Sequence, residues 1–256
     1  MNGYRSILVL LCAATLSSCG KEAFQDITSA LPGSQVRFFN FSLNAPGVNF
    51  WANDAKVTGV LSSTGVESTT GTVYGGVGSG GLYSAIEPGT YALSARISAT
   101  TDKDVAITTL QSAVANGKAY SYFTSGVYNT TAKSSDSFIV EDPIPEQFDY
   151  STPSVRFVHA IHNANPMTLY AKNTTTLTEY PVGGAVQYKA AGAFTAIPQG
   201  VYDLSTRYAG STTNVITRTA VSFSVGRVYT IGARGDITIT STTATNRPFL
   251  DNTANR

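Results

Sequence analysis

The chain has 256 residues, of which 42% are hydrophobic and 13% are charged, and its formal net charge at pH 7 is +1. This balance provides no electric field that would attract nucleic acid or an anionic membrane surface. Tyrosine, glycine, serine and threonine are plentiful, which favours β-structure over helical bundles rich in Glu, Lys, Leu and Ala. We therefore predict an all-β protein and exclude nucleic acid as a partner.

The first predicted element is a signal peptide over residues 1–18. Arg5 supplies its positive charge, residues 7–14 form an apolar run, and Leu16-Ser17-Ser18-Cys19 lies where cleavage is expected. The apolar run is too short to remain as a membrane-spanning helix. The four residues that end in Cys19 resemble the bacterial lipobox. This resemblance implies that Cys19 becomes the first mature residue and carries a diacylglyceryl thioether and an acylated amine.

Lipidation of Cys19 decides the expected location of the protein. Several acyl chains hold a protein on a membrane durably, where a single chain would not. We expect a lipid anchor in a bacterial cell envelope, at the outer membrane, facing either the periplasm or the cell surface. Cys12 leaves with the signal peptide, so no disulfide can form in the mature chain. The alternative is an ordinary secretory signal in which Cys19 falls at the cleavage position by chance.

Two domains follow a tether at residues 19–33. The first covers residues 34–140 and the second residues 154–242. Both show short segments of alternating apolar residues, separated by turn residues such as glycine, proline, asparagine and aspartate. In the first strand, for example, Val36 and Phe38 are expected on one face and Arg37 on the other. The glycine-rich stretch at residues 75–81 is predicted to be a loop or an irregular edge.

The segments between and after the domains are polar. Residues 141–153 form a linker in which Pro143 and Pro145 bar both a helix and a central strand. Because such a segment is extended and stiff, we expect the two domains to sit end to end. Residues 243–256 are expected to form a frayed C-terminal tail.

The two domains are copies of one module. Val36-Arg37-Phe38 returns as Val155-Arg156-Phe157, and Gly117-Lys118-x-Tyr120 returns as Gly226-Arg227-x-Tyr229. Further blocks return in the same order: Phe50-Trp51-Ala52 as Leu169-Tyr170-Ala171, Ala85-Ile86 as Ala196-Ile197, and Tyr91-x-Leu93-Ser94 as Tyr202-x-Leu204-Ser205. Repeats of this length can each bury a core. Short strands with turn signals about every 8–12 residues predict two tandem antiparallel β-sandwiches.

The repeated Val-Arg-Phe opening resembles the bacterial domain family DUF4397. The likeness is best in the second copy, at Val155–Ala160, Pro198–Leu204 and Gly226–Ile231. The first copy departs from it where Asn40 stands in place of His159. The resemblance implies an exported envelope protein with immunoglobulin-like sandwich domains, and it implies no agreed activity and no catalytic residues.

Residues that could carry chemistry are few. His159 and His162 are the two histidines of the chain. Three residues along a strand place side chains on opposite faces, so we expect a hydrogen-bonded His159 and an exposed His162 rather than a metal site. The carboxylates of the linker, Asp142 among them, could be paired as in a glycosidase, but we interpret them as a solvated charge run. We predict no catalytic residue, no metal site and no cofactor.

Aromatic residues provide the candidate binding surface. Trp51 and Tyr170 occupy matching positions and alternate with predicted core residues, so they are expected to point outward. Tyr120 and Tyr208 are expected to extend this surface. Aromatic rings that face solvent bind sugars or partner proteins. The alternative is that loops or the other domain cover these rings and make them part of a core.

These observations predict a non-enzymatic, membrane-anchored envelope lipoprotein that acts as a binding, adhesion or structural module. Its expected partners are a membrane, through lipidated Cys19, and a glycan or an envelope protein. The first alternative is an assembly subunit of a surface fibre or envelope complex, in which an edge strand pairs with a neighbour. A hydrolase is a more distant alternative, because the chain is poor in histidine, cysteine and clustered acids.

Overall fold

Residues 33–59, 65–144 and 149–255 are described by the structure, which is a computed structural model. The signal peptide, Cys19 and almost all of the tether lie outside the described residues. The lipid anchor therefore stays a prediction.

The first domain is a sandwich of two β-sheets. Its strands are β1 (Ser34–Asn40), β2 (Val48–Ala52), β3 (Ala55–Lys56), β4 (Gly76–Val77), β5 (Ser84–Ile86), β6 (Gly89–Ile97), β7 (Ala106–Val114), β8 (Ala119–Asn129) and β9 (Ser134–Glu141). One sheet has the order β4-β1-β8-β9, with β5 also paired to β1, and the other has the order β3-β2-β6-β7. Buried side chains from both sheets meet between them and form the core, among them Val36, Phe38, Phe50 and Leu93.

The second domain repeats this plan. Its strands are β10 (Ser154–His159), β11 (Met167–Asn173), β12 (Glu179–Val186), β13 (Ala190–Ala191), β14 (Thr195–Ala196), β15 (Gly200–Tyr208), β16 (Ile216–Phe223), β17 (Val228–Arg234) and β18 (Phe249–Ala254). The sheets have the orders β13-β10-β17-β18, with β14 also paired to β10, and β12-β11-β15-β16. Its core includes Val155, Phe157, Leu169 and Leu204, which match core residues of the first domain.

Strand pairing shows the duplication residue by residue. Val36 lies opposite Tyr120 in the first domain, and Val155 lies opposite Tyr229 in the second. These are the partners that the sequence repeat aligns. The β1–β8 and β10–β17 pairs are parallel, whereas the other named pairs are antiparallel. The predicted tandem β-sandwiches are therefore confirmed, with one parallel pair in each domain.

The C-terminal tail is not frayed, and here the prediction was wrong. Strand β18 pairs along its length with β17, and Leu250 is fully buried in the core of the second domain. A polar segment can form such an edge strand because its stability comes from main-chain hydrogen bonds and one inward apolar side chain. The second domain thus extends to the end of the described chain.

The two sandwiches do not sit end to end. A third apolar cluster joins the sheet β4-β1-β8-β9 to the sheet β13-β10-β17-β18, and both faces of these inner sheets are therefore buried. Its buried members are Phe39, Phe41, Phe123 and Phe138 of the first domain and Val158 and Ala160 of the second. Because Val36 and Phe38 face one way along β1 and Arg37 and Phe39 the other, a single strand serves two cores. The four sheets form a stack, and the outer two carry the exposed faces.

Candidate functional site

The arginine of each Val-Arg-Phe motif reaches from its own domain into the other. Arg37 Nη1 donates a hydrogen bond of 2.8 Å to the carbonyl of Ala254, the last residue of β18. Arg156 Nη1 donates one of 2.8 Å to the carbonyl of Glu141, the last residue of β9. Because Ala254 and Glu141 lie opposite Tyr229 and Tyr120 in the matching registers, the two contacts are equivalent. The domains are thus related by an internal pseudo-two-fold symmetry, as in an isologous dimer.

Each of these guanidinium groups is buried and packs on an aromatic ring. The Arg37 carbon Cζ lies 4.1 Å from the ring centroid of Tyr83, and that of Arg156 lies 4.9 Å from the ring centroid of Phe194. Tyr83 and Phe194 both lie two residues before the repeated Ala-Ile pair. The weakly hydrated, planar guanidinium suits such a buried stacked position better than an ammonium group would.

Asp142 neutralises one of the two arginines. Its carboxylate forms an ion pair with Arg156, and both side chains are buried. The same carboxylate accepts hydrogen bonds of 2.7 Å from Ser121 Oγ and 2.5 Å from the Tyr83 hydroxyl. The prediction that Asp142 belongs to a solvated charge run was therefore wrong. Strand β9 ends at Glu141, and the carboxylate of Asp142 turns into the interface, where a buried charge needs this set of partners.

Asn255 occupies the position of Asp142 in the second domain. The amides of the two residues donate hydrogen bonds to the equivalent carbonyls of Ala119 and Val228, at 2.7 Å and 2.6 Å. Asn255 Nδ2 donates to the Tyr83 hydroxyl at 2.8 Å, so Tyr83 connects the two symmetry-related positions. Asn255 carries no charge, however. Arg37 therefore has no carboxylate partner among the residues that the structure describes.

The consequence for Arg37 is a poorly satisfied cation. Its Nε is buried without a hydrogen-bond partner, although Arg156 Nε donates to Thr230 Oγ1 at 3.0 Å. Ser121 matches Thr230 in the repeat, but its hydroxyl donates to Asp142. Burial lowers the pKa of Arg37, while Tyr83 and Asp142 act in the opposite direction.

Trp51 and Tyr170, the first two residues of the predicted aromatic surface, lie at matching positions in the outer sheets, and cations cover their rings. Arg96 Cζ lies 4.5 Å from the Trp51 ring centroid, and Arg207 Cζ lies 4.3 Å from the Tyr170 ring centroid. Trp51 lies opposite Ser94, and Tyr170 lies opposite Ser205, in the outer sheets. Both rings are half-buried. Equivalent residues thus form an aromatic–guanidinium stack on each outer face of the molecule.

A carboxylate binds one of the cations beside each of the two rings. Arg207 forms two hydrogen bonds of 2.7 Å with the carboxylate of Glu179. In the first domain, Lys56 Nζ lies 5.0 Å from the Trp51 ring centroid and 2.6 Å from Glu67 Oε1. The hydrogen bond from Lys56 lowers the pKa of Glu67. A shallow cavity of about 310 Å³ adjoins this group, lined by Lys56, Val57, Thr58, Gly59 and Glu67.

Tyr120 and Tyr208 do not extend the outer surface, and these two predictions need correction. Both are partly buried and pack against the core of their own domain. The Tyr120 hydroxyl accepts a hydrogen bond of 3.2 Å from the amide of Ala115, and Tyr229 accepts one of 3.1 Å from the amide of Ser224. A tyrosine near the start of a strand that binds the preceding backbone is a tyrosine corner, as in immunoglobulin-like sandwiches. Tyr120 therefore has a structural role.

His159 is fully buried, and both of its ring nitrogens have partners. Nδ1 accepts a hydrogen bond of 3.2 Å from the amide of Ile161, and Nε2 lies 3.2 Å from the carbonyl oxygen of Asn165. Burial lowers the pKa of His159, and the Asn165 carbonyl opposes this shift. Within the described ranges, no group of three or more His, Cys, Asp or Glu side chains could hold a metal ion. In the same part of the chain, no helix is long and apolar enough to cross a membrane.

Sequence reasoning missed the Arg37, Arg156 and Asp142 network. A signal for it was present in the repeat, because an arginine recurs between two apolar residues at the same place in both copies. An arginine on a solvent-exposed face of a sheet can be replaced by another polar residue. A buried arginine that donates a hydrogen bond to a main-chain carbonyl of the other domain is required at its position.

Comparison with known proteins gives a family for the second domain. Residues 153–255 match the family described as "Domain of unknown function (DUF4397)". No curated protein matches the chain. The matched range starts one residue before β10 and includes β18, which agrees with the domain boundary in the structure.

Proposed function

Because residues 153–255 form a DUF4397 domain, a family whose function is unknown, we propose a function from the residues themselves: the protein is a non-enzymatic binding module of a bacterial envelope, anchored to a membrane through lipidated Cys19. The observation that carries this proposal is the interdomain contact. Buried arginines, a buried ion pair and a phenylalanine cluster join the two sandwiches into one body. Such a body presents fixed surfaces to a partner.

The state of the reactive side chains supports a non-enzymatic role. His159 uses both ring nitrogens within its own domain, and Asp142 is already bound to Arg156, Ser121 and Tyr83. A general base must reach a substrate proton directly or through one water. Neither residue is accessible for this, because both are buried.

The capped edges of the inner sheets count against the alternative of a fibre subunit. Assembly by strand addition needs a free sheet edge with unpaired main-chain groups. On β9, Arg156 donates a hydrogen bond to the outward carbonyl of Glu141. On β18, Arg37 donates to the carbonyl of Ala254, and Arg218 donates to the carbonyl of Leu250. A full-length strand cannot pair with β18 without displacing two of these arginines.

Anchoring and display can be tested together in cells. We expect wild-type protein to incorporate labelled palmitate and to sediment with membranes, and Cys19→Ala to do neither. Protease added to intact cells distinguishes a surface-facing protein, which is digested, from a periplasmic one, which is protected until the outer membrane is opened. Equal sedimentation of the Cys19→Ala variant, or turnover of a substrate by the purified protein that a single substitution abolishes, would contradict the proposal.

A further inference from the structure

Strand β7 is an open edge of the outer sheet of the first domain. The sheet has the order β3-β2-β6-β7, and within the described ranges β7 pairs with β6 alone. From Thr108 to Val114 this pairing keeps one register without a bulge. The nine residues of β7, Ala-Ile-Thr-Thr-Leu-Gln-Ser-Ala-Val, include no charged residue, no proline and no glycine. An uncharged, regular edge strand of this kind is a template for pairing with another strand.

Three residues of β7 direct their main-chain groups away from the sheet. The Asn53 amide donates a hydrogen bond of 3.0 Å to the Ala92 carbonyl, so Ala92 and every second residue of β6 after it bond towards β2. The residues between them bond to β7, where their partners are the even-numbered residues. The outward amides and carbonyls are those of Thr109, Gln111 and Ala113, all of which are exposed. In the described part of the chain these groups form one hydrogen bond, a long one of 3.5 Å from Ser112 Oγ to the Ala113 carbonyl.

The other sheet edges have features that oppose pairing. In β16, the equivalent strand of the second domain, the register shifts and Ala220 has a φ of +57°, as in a β-bulge. The register of β12 also shifts, and this strand contains Pro181. Arginines bind main-chain carbonyls of β9 and β18. The strands β3, β4, β5, β13 and β14 have two or three residues each. Natural proteins protect sheet edges by such features, and β7 has none of them between Thr108 and Val114.

We propose that β7 pairs in antiparallel orientation with β7 of a second copy of this chain and forms a symmetric dimer. A two-fold axis at Gln111 places Gln111 opposite its own copy and Thr109 opposite Ala113. All three residues with outward main-chain groups then bond to one another, as an isologous contact requires. No like charges meet, because the strand is uncharged. Asp104 precedes the strand and Lys118 follows it, so antiparallel pairing brings opposite charges to each end of the contact.

The dimer joins the outer sheets of two copies into one continuous sheet. Because the two-fold axis is perpendicular to that sheet, both copies present the same face to solvent. This face carries the Trp51 ring of each copy, with Arg96 stacked on it. A partner with two matching sites binds such a paired surface more tightly than it binds a single copy. An isologous contact is closed, so it gives a dimer and not a fibre. This inference goes beyond the proposed binding role and does not depend on it.

Sedimentation velocity of the mature, unacylated chain with Cys19→Ala tests the dimer. We expect a monomer–dimer equilibrium that shifts with protein concentration. Gln111→Lys puts two like charges opposite each other at the two-fold axis and should weaken dimerisation about tenfold to hundredfold. Thr219→Lys makes the matched change on the bulged strand β16, at another exposed residue, and should dimerise like wild type. A wild-type chain that stays monomeric at about 0.1 mM, or a Gln111→Lys variant that dimerises like wild type, would overturn the proposal.

A disulfide tests the register of the pair. The mature chain with Cys19→Ala has no cysteine, so Gln111→Cys introduces a single thiol. Directly opposite residues of a hydrogen-bonded pair have Cα atoms about 5.5 Å apart, within reach of a disulfide. Mild oxidation should therefore cross-link Gln111→Cys into a dimer. Thr109→Cys is the matched control, because its two copies are offset by four residues, about 13 Å, and should not cross-link. Equal cross-linking of the two variants, or none in Gln111→Cys, would refute the two-fold axis at Gln111 and with it the proposed dimer.

Discussion

The two domains have core residues at equivalent positions, but they contribute different side chains to the interface that they share. Their strand registers match, yet the side chains that meet between them differ in size at equivalent positions. The first domain contributes a phenylalanine where the second contributes a smaller residue: Phe39 and Val158, Phe41 and Ala160, Phe123 and Gly232. Rings of Phe39 and Phe123 stack with centroids 4.4 Å apart. Large residues on one face and small ones on the other interlock as knobs and holes.

The charges of the interface differ in the same one-sided way. Asp142 in the first domain and Asn255 in the second occupy equivalent positions, so Arg156 is paired with a carboxylate, whereas Arg37 donates to the carbonyl of Ala254. A symmetric pair of identical domains would put equal residues in both places. The difference teaches that the inner faces of the two domains are complementary to each other rather than identical, while the strand registers of the domains match.

The largest test removes the buried carboxylate of Asp142. Asp142→Asn makes the two halves alike and removes the carboxylate that pairs with Arg156. We expect the free energy of unfolding to fall by about 3–5 kcal/mol, as when one partner of a buried ion pair is removed. Urea denaturation followed by tyrosine and tryptophan fluorescence measures it. As a control, Glu141→Gln alters the neighbouring, exposed ion pair with Lys118 and should cost about 1 kcal/mol or less. Equal effects of the two substitutions would contradict the assigned burial.

A smaller loss of stability is expected when a side chain is added at Gly232, where the ring of Phe41 packs against the second domain. A Cβ at Gly232 would lie 2.8 Å from Phe41 Cε2, so Gly232→Ala should destabilise the protein by about 1–3 kcal/mol. Combining it with Phe41→Leu should give less destabilisation than the sum of the single changes, because the two residues are in contact. Gly59→Ala is the matched control, since among the described residues its Cβ would meet only Glu67 Oε1, at 3.7 Å. Additive effects of Gly232→Ala and Phe41→Leu would show that these residues do not meet.

The smallest test replaces a residue of the second domain by its counterpart in the first. The substitution His159→Asn introduces the residue that the first domain has at the equivalent position, Asn40. It should remove part of the pH dependence of the free energy of unfolding. Burial lowers the pKa of His159, so the unfolded chain takes up the proton first. The stability that neutral His159 provides is complete above the unfolded pKa of about 6.5 and is lost as pH falls below it. Urea denaturation at pH 7.5 and pH 5 should show a smaller difference for His159→Asn than for wild type.

The variant His162→Asn serves as the control for that experiment. It changes the neighbouring histidine, which is not fully buried, and leaves the hydrogen bonds of His159 to Ile161 and Asn165 in place. The contribution of His159 to the difference in stability between the two pH values should therefore remain in this variant. An unchanged pH dependence in His159→Asn would rule out burial of the neutral imidazole as a source of the effect.

Part of the candidate site could be predicted from the sequence. The alternation at β2 and β11 predicted that Trp51 and Tyr170 share a position and point away from the core, because a strand has a period of two residues. The partners of these rings, Arg96 and Arg207, lie on neighbouring strands. Their contact depends on strand pairing, which alternation within one strand does not specify.

The sequence by itself determined the all-β fold class, the duplication and the two faces of β1, because these follow from local alternation and from self-similarity. Only the tertiary structure decided which faces the domains bury against each other. In the folded protein, Asp142 pairs with Arg156, the Tyr120 hydroxyl binds the Ala115 amide in a tyrosine corner, and Phe249–Ala254 form a strand. Each of these features depends on a partner distant in sequence or on a sheet that is already formed. The local sequence around a polar residue does not indicate which distant residue will bury it.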